Sequence, residues 1–135
     1  MKKILFAMFV LTALALSACG SGTPVPTATL APVPADFAGK TNPLDANADA
    51  IALGAKTFKR QCETCHGETA HGDGPASVGL NPRPGNLVDL QKVVKDDYIF
   101  WRISAGKEGT AMVAWKGVLK EEQIWQIVAF LHTLK

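Results

Sequence analysis

The sequence has 135 residues, and 47% of them are apolar, which indicates one modest domain with extensions. The formal net charge is +2, and it falls to zero without Lys2 and Lys3, which lie in a segment that we expect to be removed. A neutral chain gives no basis for binding nucleic acid, or a membrane surface, through a basic patch.

Residues 1–18 have the pattern of an export signal peptide. Two lysines precede an apolar run at 4–16, which is too short to span a bilayer comfortably, and small residues follow. An uncleaved membrane anchor is the alternative. The run ends in LSACG, which resembles the lipobox of bacterial lipoproteins and implies that Cys19 is lipid-modified and becomes the first mature residue. We therefore expect a lipid-anchored protein outside the cytoplasmic membrane, on the periplasmic or extracytoplasmic face. An ordinary cleavage site with a chance cysteine remains the other interpretation.

Residues 19–45 follow as a predicted linker. They hold five prolines, with Gly, Ser, Thr and Ala between them, and they show no apolar periodicity. Proline fixes an extended backbone and removes hydrogen-bond donors, so this composition favours a semi-rigid tether. Residues 46–135 are then the folded domain.

The first predicted helix starts near Ala46 and runs to the cysteines. Apolar residues up to Cys62 recur at helical spacing, and Asn47 is a plausible cap. Gly54 lies in mid-helix, where glycine costs about 1 kcal/mol relative to alanine. Close approach by a second helix would explain it, and a tolerated surface glycine is the alternative.

The rest of the domain alternates loops with helices. Residues 67–91 are rich in Gly, Pro and Asn and predict a long loop. The segment KDDYIFWRISAG predicts a short helix that Asp96 or Asp97 caps and Gly106 ends, and a second loop follows it. KEEQIWQIVAFLHTLK predicts a last helix, with Ile124, Ile127, Val128, Leu131 and Leu134 on its apolar face. No strand pattern occurs, so the fold class is all-α, and its small core predicts a large apolar cofactor at the centre.

The segment CETCH carries the most specific chemistry. Two cysteines three apart with a histidine directly after them form the attachment signature of c-type haem. Cys62 and Cys65 would add to the haem vinyl groups as thioethers, and His66 would be the proximal iron ligand. The alternatives are a zinc site formed by Cys62, Cys65 and two of His66, His71 and His132, and a redox dithiol of the thioredoxin type.

The iron then has a sixth position to fill. Beyond the signal peptide the chain has one methionine, Met112, in the loop segment GTAMVAW, and we predict it as the distal ligand. Met112 could instead pack under Trp101 or Trp115. His132 is the other candidate ligand, although its place at the edge of the last helix is more typical of a surface residue.

Together the segments CETCHG, HGDGPA, PRPGNLVD, YIFWRISAG, GTAMVAW and EEQIWQIVAFLHTL resemble the single-haem class I cytochromes c of bacteria, over residues 46–135. The resemblance implies one covalent haem c wrapped by a first helix, a ligand loop and a last helix. It implies that the two helices cross at Gly54 and Phe58, which would meet Trp125 or Phe130. In these cytochromes proline commonly follows the ligand methionine, whereas Val113 does here.

The resemblance also suggests contacts around the haem. A proline carbonyl usually accepts the second N–H of the proximal histidine, and Pro84 is the candidate, with Pro75 as the alternative. Trp101 and Trp115, with Arg83 and Arg102, could line the haem and pair with its propionates. The alternative is that the tryptophans belong to an ordinary core and the arginines to a solvated surface.

Histidine and methionine ligation closes both axial positions, which favours one-electron transfer over catalysis. We therefore predict a membrane-tethered electron carrier, not an enzyme, that serves redox partner proteins of a respiratory or photosynthetic chain. The first alternative is a fixed single-haem subunit of a quinol-oxidising complex, similar in layout to the lipoprotein subunit of alternative complex III. The second is a haem enzyme or sensor with an open iron position.

Overall fold

The computed structural model of the chain describes residues 30–135, and residues 32–135 form one compact unit. The predicted signal peptide, Cys19 and the linker up to residue 29 lie outside the described residues. The helices are α1 (Ala48–Gln61), α2 (Glu63–His66), α3 (Leu87–Leu90), α4 (Asp96–Ala105) and α5 (Glu121–Leu131), with a 3-10 turn at Ser77–Gly79. Residues 30–135 contain no strand beyond an isolated bridge, which confirms the predicted all-α class. None of these helices has the length and apolarity needed to span a bilayer.

Helix α1 begins where the sequence predicts. The side chain of Asn47 accepts a hydrogen bond from Ala50 N at 2.9 Å and so satisfies one of the donors left free at the helix start. The helix buries a stripe that includes Ala50, Gly54 and Phe58. It ends at Gln61 with Cys62 as its C-cap residue, so the cysteine pair follows the helix directly.

Helices α1 and α5 cross at Gly54. A Cβ atom at Gly54 would overlap the carbonyl oxygen of Gln126 and lie 2.5 Å from its carbonyl carbon. This explains the mid-helix glycine by the close approach that its position predicts. The rings of Phe58 and Phe130 lie 5.3 Å apart beside the crossing, whereas Trp125 stacks on Phe100 at 4.1 Å. Of the two partners expected for Phe58, the structure selects Phe130.

Helix α4 ends at Gly106 as predicted, but the prediction of its cap is wrong. Neither Asp96 nor Asp97 caps the helix: the N-cap residue is Lys95, which makes no side-chain hydrogen bond to the helix. The two carboxylates instead accept hydrogen bonds from backbone N–H groups of residues 39 and 42. Gly106 has φ +71°, a conformation that ends a helix and favours glycine.

Residues 32–45 belong to the compact unit, although their proline content placed them in the predicted linker. Phe37 and Leu44 pack against the hydrophobic core, and backbone groups between them bond to α4. We call residues 34–45 the N-terminal strap. A segment with two apolar anchors and long-range hydrogen bonds is a folded element, even without regular secondary structure.

The long loop at 67–91 contains two short helical turns, the 3-10 turn and α3. Asn86 caps α3 by accepting from Asp89 N at 3.1 Å. Helix α5 buries Ile124, Ile127, Val128 and Leu131 as expected, but it ends at Leu131, so Leu134 lies beyond it and is half-buried. The core is therefore made mainly by α1, α4 and α5.

Candidate functional site

The cysteine pair lies on a single helical turn. Helix α2 starts directly after Cys62, whose carbonyl accepts from Cys65 N at 3.1 Å and from His66 N at 2.9 Å. Both cysteines are free thiols of intermediate exposure. This turn brings Cys62, Cys65 and His66 together, as the sequence predicts for a group held by two thiols and a neighbouring imidazole.

The HGDGPA segment wraps around this turn and satisfies its carbonyls. Three of its N–H groups donate to the last residues of α2: Gly72 N to His66 O at 2.8 Å, Gly74 N to Cys65 O at 3.2 Å and Ala76 N to Thr64 O at 2.9 Å. A Cβ at Gly74 would lie 2.5 Å from the carbonyl oxygens of Glu63 and Thr64. Position 74 therefore requires glycine.

The imidazole of His66 is held against a glycine-rich backbone. Its Nδ1 is buried and has no hydrogen-bond partner among the described residues. Burial lowers the pKa of His66, and the backbone of Gly85, acting as an acceptor, opposes that shift in part. Pro84 was the predicted acceptor, but its carbonyl faces Gly72, where a Cβ would overlap it. The backbone that affects the pKa of His66 is that of Gly85, one residue after Pro84, and Pro75, the alternative, is exposed. The assignment of the acceptor to Pro84 stays a prediction.

The environment of Cys62 disfavours a thiolate. Burial, and secondarily the neighbouring Cys65, raise the pKa of the Cys62 thiol to about 12. A zinc site needs deprotonated thiols, whereas a thioether carries no charge. Among residues 30–135, no three His, Cys, Asp or Glu side chains cluster in a way that could hold a metal ion. The ligand set of the zinc alternative is thus not assembled.

The side chains of the other two histidines contact residues outside the cysteine turn. Both ring nitrogens of His132 face carboxylates, with Nδ1 2.6 Å from Asp45 Oδ1 and Nε2 3.3 Å from Asp96 Oδ1. His71 is exposed, and its Nδ1 lies 3.0 Å from Thr69 Oγ1. His132 is therefore a strap contact at the surface, the place that its sequence position favours.

The loop that carries Met112 is tied to the end of α4. Lys107 N donates to Met112 O at 3.0 Å, and Met112 N donates to Thr110 Oγ1 at 3.1 Å. A Cβ at Gly106 would lie 2.6 Å from Met112 O, so the loop packs on the glycine itself. The side chain of Met112 is half-buried and packs against the core.

The residues predicted to line a haem differ in their surroundings. Trp115 is half-buried and packs against the core, near Met112 in the chain. Trp101 is covered on one face by the Arg102 guanidinium, 3.8 Å from the ring centroid, and Arg102 also donates to Tyr98 Oη at 3.3 Å. Arg83 is exposed. The partners of Arg102 are thus aromatic side chains of its own helix.

The sequence from residue 49 to residue 131 matches the family described as cytochrome c oxidase, cbb3-type, subunit III, a family of cytochrome c domains. The chain belongs to this family. Membership implies a c-type haem and a function in electron transfer, and it agrees with the class I cytochrome c fold. A comparison with curated proteins found no match.

Two solved structures have a similar fold. A chain of the reducing HAO-like protein complex of Kuenenia stuttgartiensis aligns with a TM-score of 0.56 and 21% identity, over 65% of this chain and 45% of that chain. Cytochrome cL of the marine methylotrophic bacterium Methylophaga aminisulfidivorans aligns with a TM-score of 0.54 and 18% identity, over 82% of this chain and 71% of that chain. This cytochrome domain thus matches less than half of the Kuenenia chain.

The described residues fit a c-type haem. Two unpaired thiols and an imidazole share one turn, and the buried Nδ1 of His66 has no hydrogen-bond partner among the described residues, while the backbone of Gly85 lies close enough to raise the pKa of the ring. Sequence reasoning missed that Gly72, Gly74 and Gly85 lie against the cysteine turn and His66. We call these three glycines the cradle. Their signal is the density of glycines in HGDG and RPGN, segments that carry the cytochrome c resemblance but whose local composition predicts only a loop.

Proposed function

We propose that the protein carries one haem c, bonded to Cys62 and Cys65, with His66 and Met112 as its axial ligands. The observation that carries the proposal is the single turn of α2, which presents two free thiols and an imidazole together. A hydrogen bond from His66 Nδ1 to the nearby backbone of Gly85 would orient the ring and leave Nε2 for the iron. The Met112 loop, tied to Gly106, supplies the second axial group.

The haem supplies a one-electron iron couple, and the chain's residues set the conditions for it. Thioether bonds at Cys62 and Cys65 would retain the haem, and they suit a site whose burial disfavours a charged sulfur. Met112 would close the distal position to substrates and raise the reduction potential. The role that follows is outer-sphere transfer of single electrons between partner proteins, and not bond chemistry on a substrate.

We further propose that the protein is tethered to the outer face of the cytoplasmic membrane through a lipid on Cys19. The support is the LSACG segment at the end of an export signal. In this arrangement the tether is residues 20–31, since residues 32–135 form the compact unit. Such a tether would reach about 20 Å as a coil and about 40 Å if fully extended. A tethered carrier of a respiratory or photosynthetic chain could move between donor and acceptor complexes over that range.

A fixed subunit of a membrane complex, such as a quinol-oxidising complex of the alternative complex III type, is the second candidate. Two findings favour it: the family description names a subunit of an oxidase, and the similar Kuenenia chain was solved within a protein complex. Electron transfer at the haem would be the same in both cases. The difference is whether the domain moves between partners.

Replacement of Met112 tests the haem assignment. In the oxidised protein we expect a weak near-infrared band typical of iron bound to a methionine sulfur. Met112→Ala should abolish the band, lower the potential and let the reduced protein bind carbon monoxide. Val113→Ala is the matched control, because Val113 is the adjacent residue and 62% exposed. If the natural protein lacks the band and binds carbon monoxide freely, the iron position is open and the enzyme or sensor alternative gains support.

Shortening the tether distinguishes the carrier from the fixed subunit. The change is deletion of residues 22–29, which leaves the lipobox and the compact unit intact, and the control replaces the same residues by an equally long Gly-Ser segment. For a carrier, electron flux between donor and acceptor should fall with the deletion while haem content and potential stay constant. Unchanged flux, together with co-purification of other haem subunits, would favour the fixed subunit.

A further inference from the structure

The N-terminal strap is bonded to the first turn of α4. Gly39 N donates to Asp97 Oδ2 at 2.8 Å, and Asn42 N donates to Asp96 Oδ2 at 3.0 Å. Asn42 also donates through Nδ2 to the Trp125 carbonyl at 3.0 Å, which links the strap to α5. Asp97 is 8% exposed, so its carboxylate is a buried acceptor whose loss would leave the N–H of Gly39 unsatisfied.

Packing between aromatic rings also connects the strap to α4 and α5. The ring of Phe37 lies 6.1 Å from that of Phe100 on α4, and Phe100 stacks on Trp125 of α5 at 4.1 Å with an interplanar angle of 20°. Phe100 and Trp125 are both buried. The strap therefore covers one side of the contact between α4 and α5.

The opposite end of α4 holds the loop of Met112. Trp115 N donates to Ile103 O at 3.1 Å and Lys116 N donates to Ser104 O at 3.0 Å, so the chain after Met112 is bonded to the last turn of the helix. Gly106 packs directly on the Met112 carbonyl. Helix α4 has 10 residues and a length of about 15 Å, so its continuous backbone joins the strap at its first turn to the Met112 loop at its last turn.

The strap and the segment after Met112 also face each other across one cavity of about 150 Å³. Phe37 and Lys40 line it from the strap, and Lys116 and Leu119 line it from the far side. Ser104 forms part of its wall, and its buried hydroxyl has no hydrogen-bond partner. A displacement of the strap would therefore open the space against which the end of the Met112 loop rests.

We propose that the strap is a positioning element for the axial ligand loop, and that Asp97 is the residue through which it acts. The strap fixes the first turn of α4, the helix transmits that position to its last turn, and the last turn holds the loop that presents Met112. This inference rests on the proposed function, in which Met112 binds the haem iron.

The test uses Asp97→Ala in the full-length holoprotein. We expect a weaker near-infrared band, a lower potential, and a carbon monoxide-bound fraction of the reduced protein that is about tenfold above that of the natural protein. Asp97→Asn, which keeps a carbonyl oxygen as acceptor, should restore most of the natural behaviour. Where Asp97→Ala yields no folded holoprotein, Phe37→Ala tests the same connection.

A core variant separates positioning from general destabilisation. Ile127→Val truncates a side chain that is 1% exposed on α5, and it should lower the melting temperature without altering the band, the potential or carbon monoxide binding. If Asp97→Ala and Phe37→Ala also lower only the melting temperature, the strap is merely structural and the inference is wrong. A natural protein without the near-infrared band would overturn the Met112 assignment itself, which is a different result.

Discussion

Because α1 and α5 cross closely at Gly54, we expect the substitution Gly54→Ala, which adds one methyl group, to lower the stability of the domain. On an isolated helix this substitution stabilises by about 1 kcal/mol. Here the added methyl group would overlap Gln126 O and lie 2.5 Å from Gln126 C, where ordinary contacts start at 3.4 Å. The atoms that it meets are backbone, which cannot rotate away. The two helices must therefore part by about 1 Å.

The cost follows from what the two helices bury. The largest fully buried side chains of the described residues, Phe58, Ile124, Ile127 and Val128, all lie on α1 and α5. At about 2 kcal/mol each, their burial is worth about 8 kcal/mol. A gap of up to 1 Å loses a quarter to a half of the packing energy, or about 2–4 kcal/mol. After the gain in helix propensity, Gly54→Ala should destabilise by about 1–3 kcal/mol.

Thermal unfolding of the holoprotein measures this effect. For a domain of this size, the expected decrease in melting temperature is about 5–20 °C. Gly79→Ala is the matched control, because a Cβ there has no atom within 4 Å, and its melting temperature should stay within about 3 °C of the natural value. An unchanged or higher melting temperature for Gly54→Ala would refute the close crossing.

Two further predictions concern the cradle and the anchor. Gly74→Ala should displace the HGDGPA segment from α2, because its Cβ would lie 2.5 Å from two carbonyl oxygens, and we expect a lower ratio of haem to protein, measured by absorbance. An unchanged ratio would contradict that contact. Cys19→Ser should block lipid attachment and signal removal at that site, measured by mass spectrometry of the membrane fraction. An unchanged mature mass would count against lipidation.

Much of the helical scaffold was predictable because local signals determine it. Asn47 caps α1 through its own side chain, and Gly106 ends α4 through its positive φ. The mid-helix position of Gly54 indicated a close helix contact before any partner was known. The spacing of CETCH likewise places three functional side chains on one turn, since they are neighbours in the chain.

The features that sequence reasoning missed depend on contacts between distant residues. Asp96 and Asp97 have the composition of a helix cap, but the strap, more than 50 residues earlier, supplies their donors. The proline content of residues 32–45 indicated a tether, and nothing local showed that Phe37 would find Phe100. The acceptor near His66 also belongs to a loop whose path local propensity does not determine.

The central claim is that Cys62 and Cys65 hold a haem covalently. The direct measurement is the mass of the denatured mature polypeptide, together with a haem stain of the denaturing gel. We expect the polypeptide to be heavier by one haem and the stain to stay with its band, and Cys62→Ala with Cys65→Ala should abolish both and leave an unfolded chain. A mass equal to that of the bare polypeptide, with colour that leaves the band, would contradict the account.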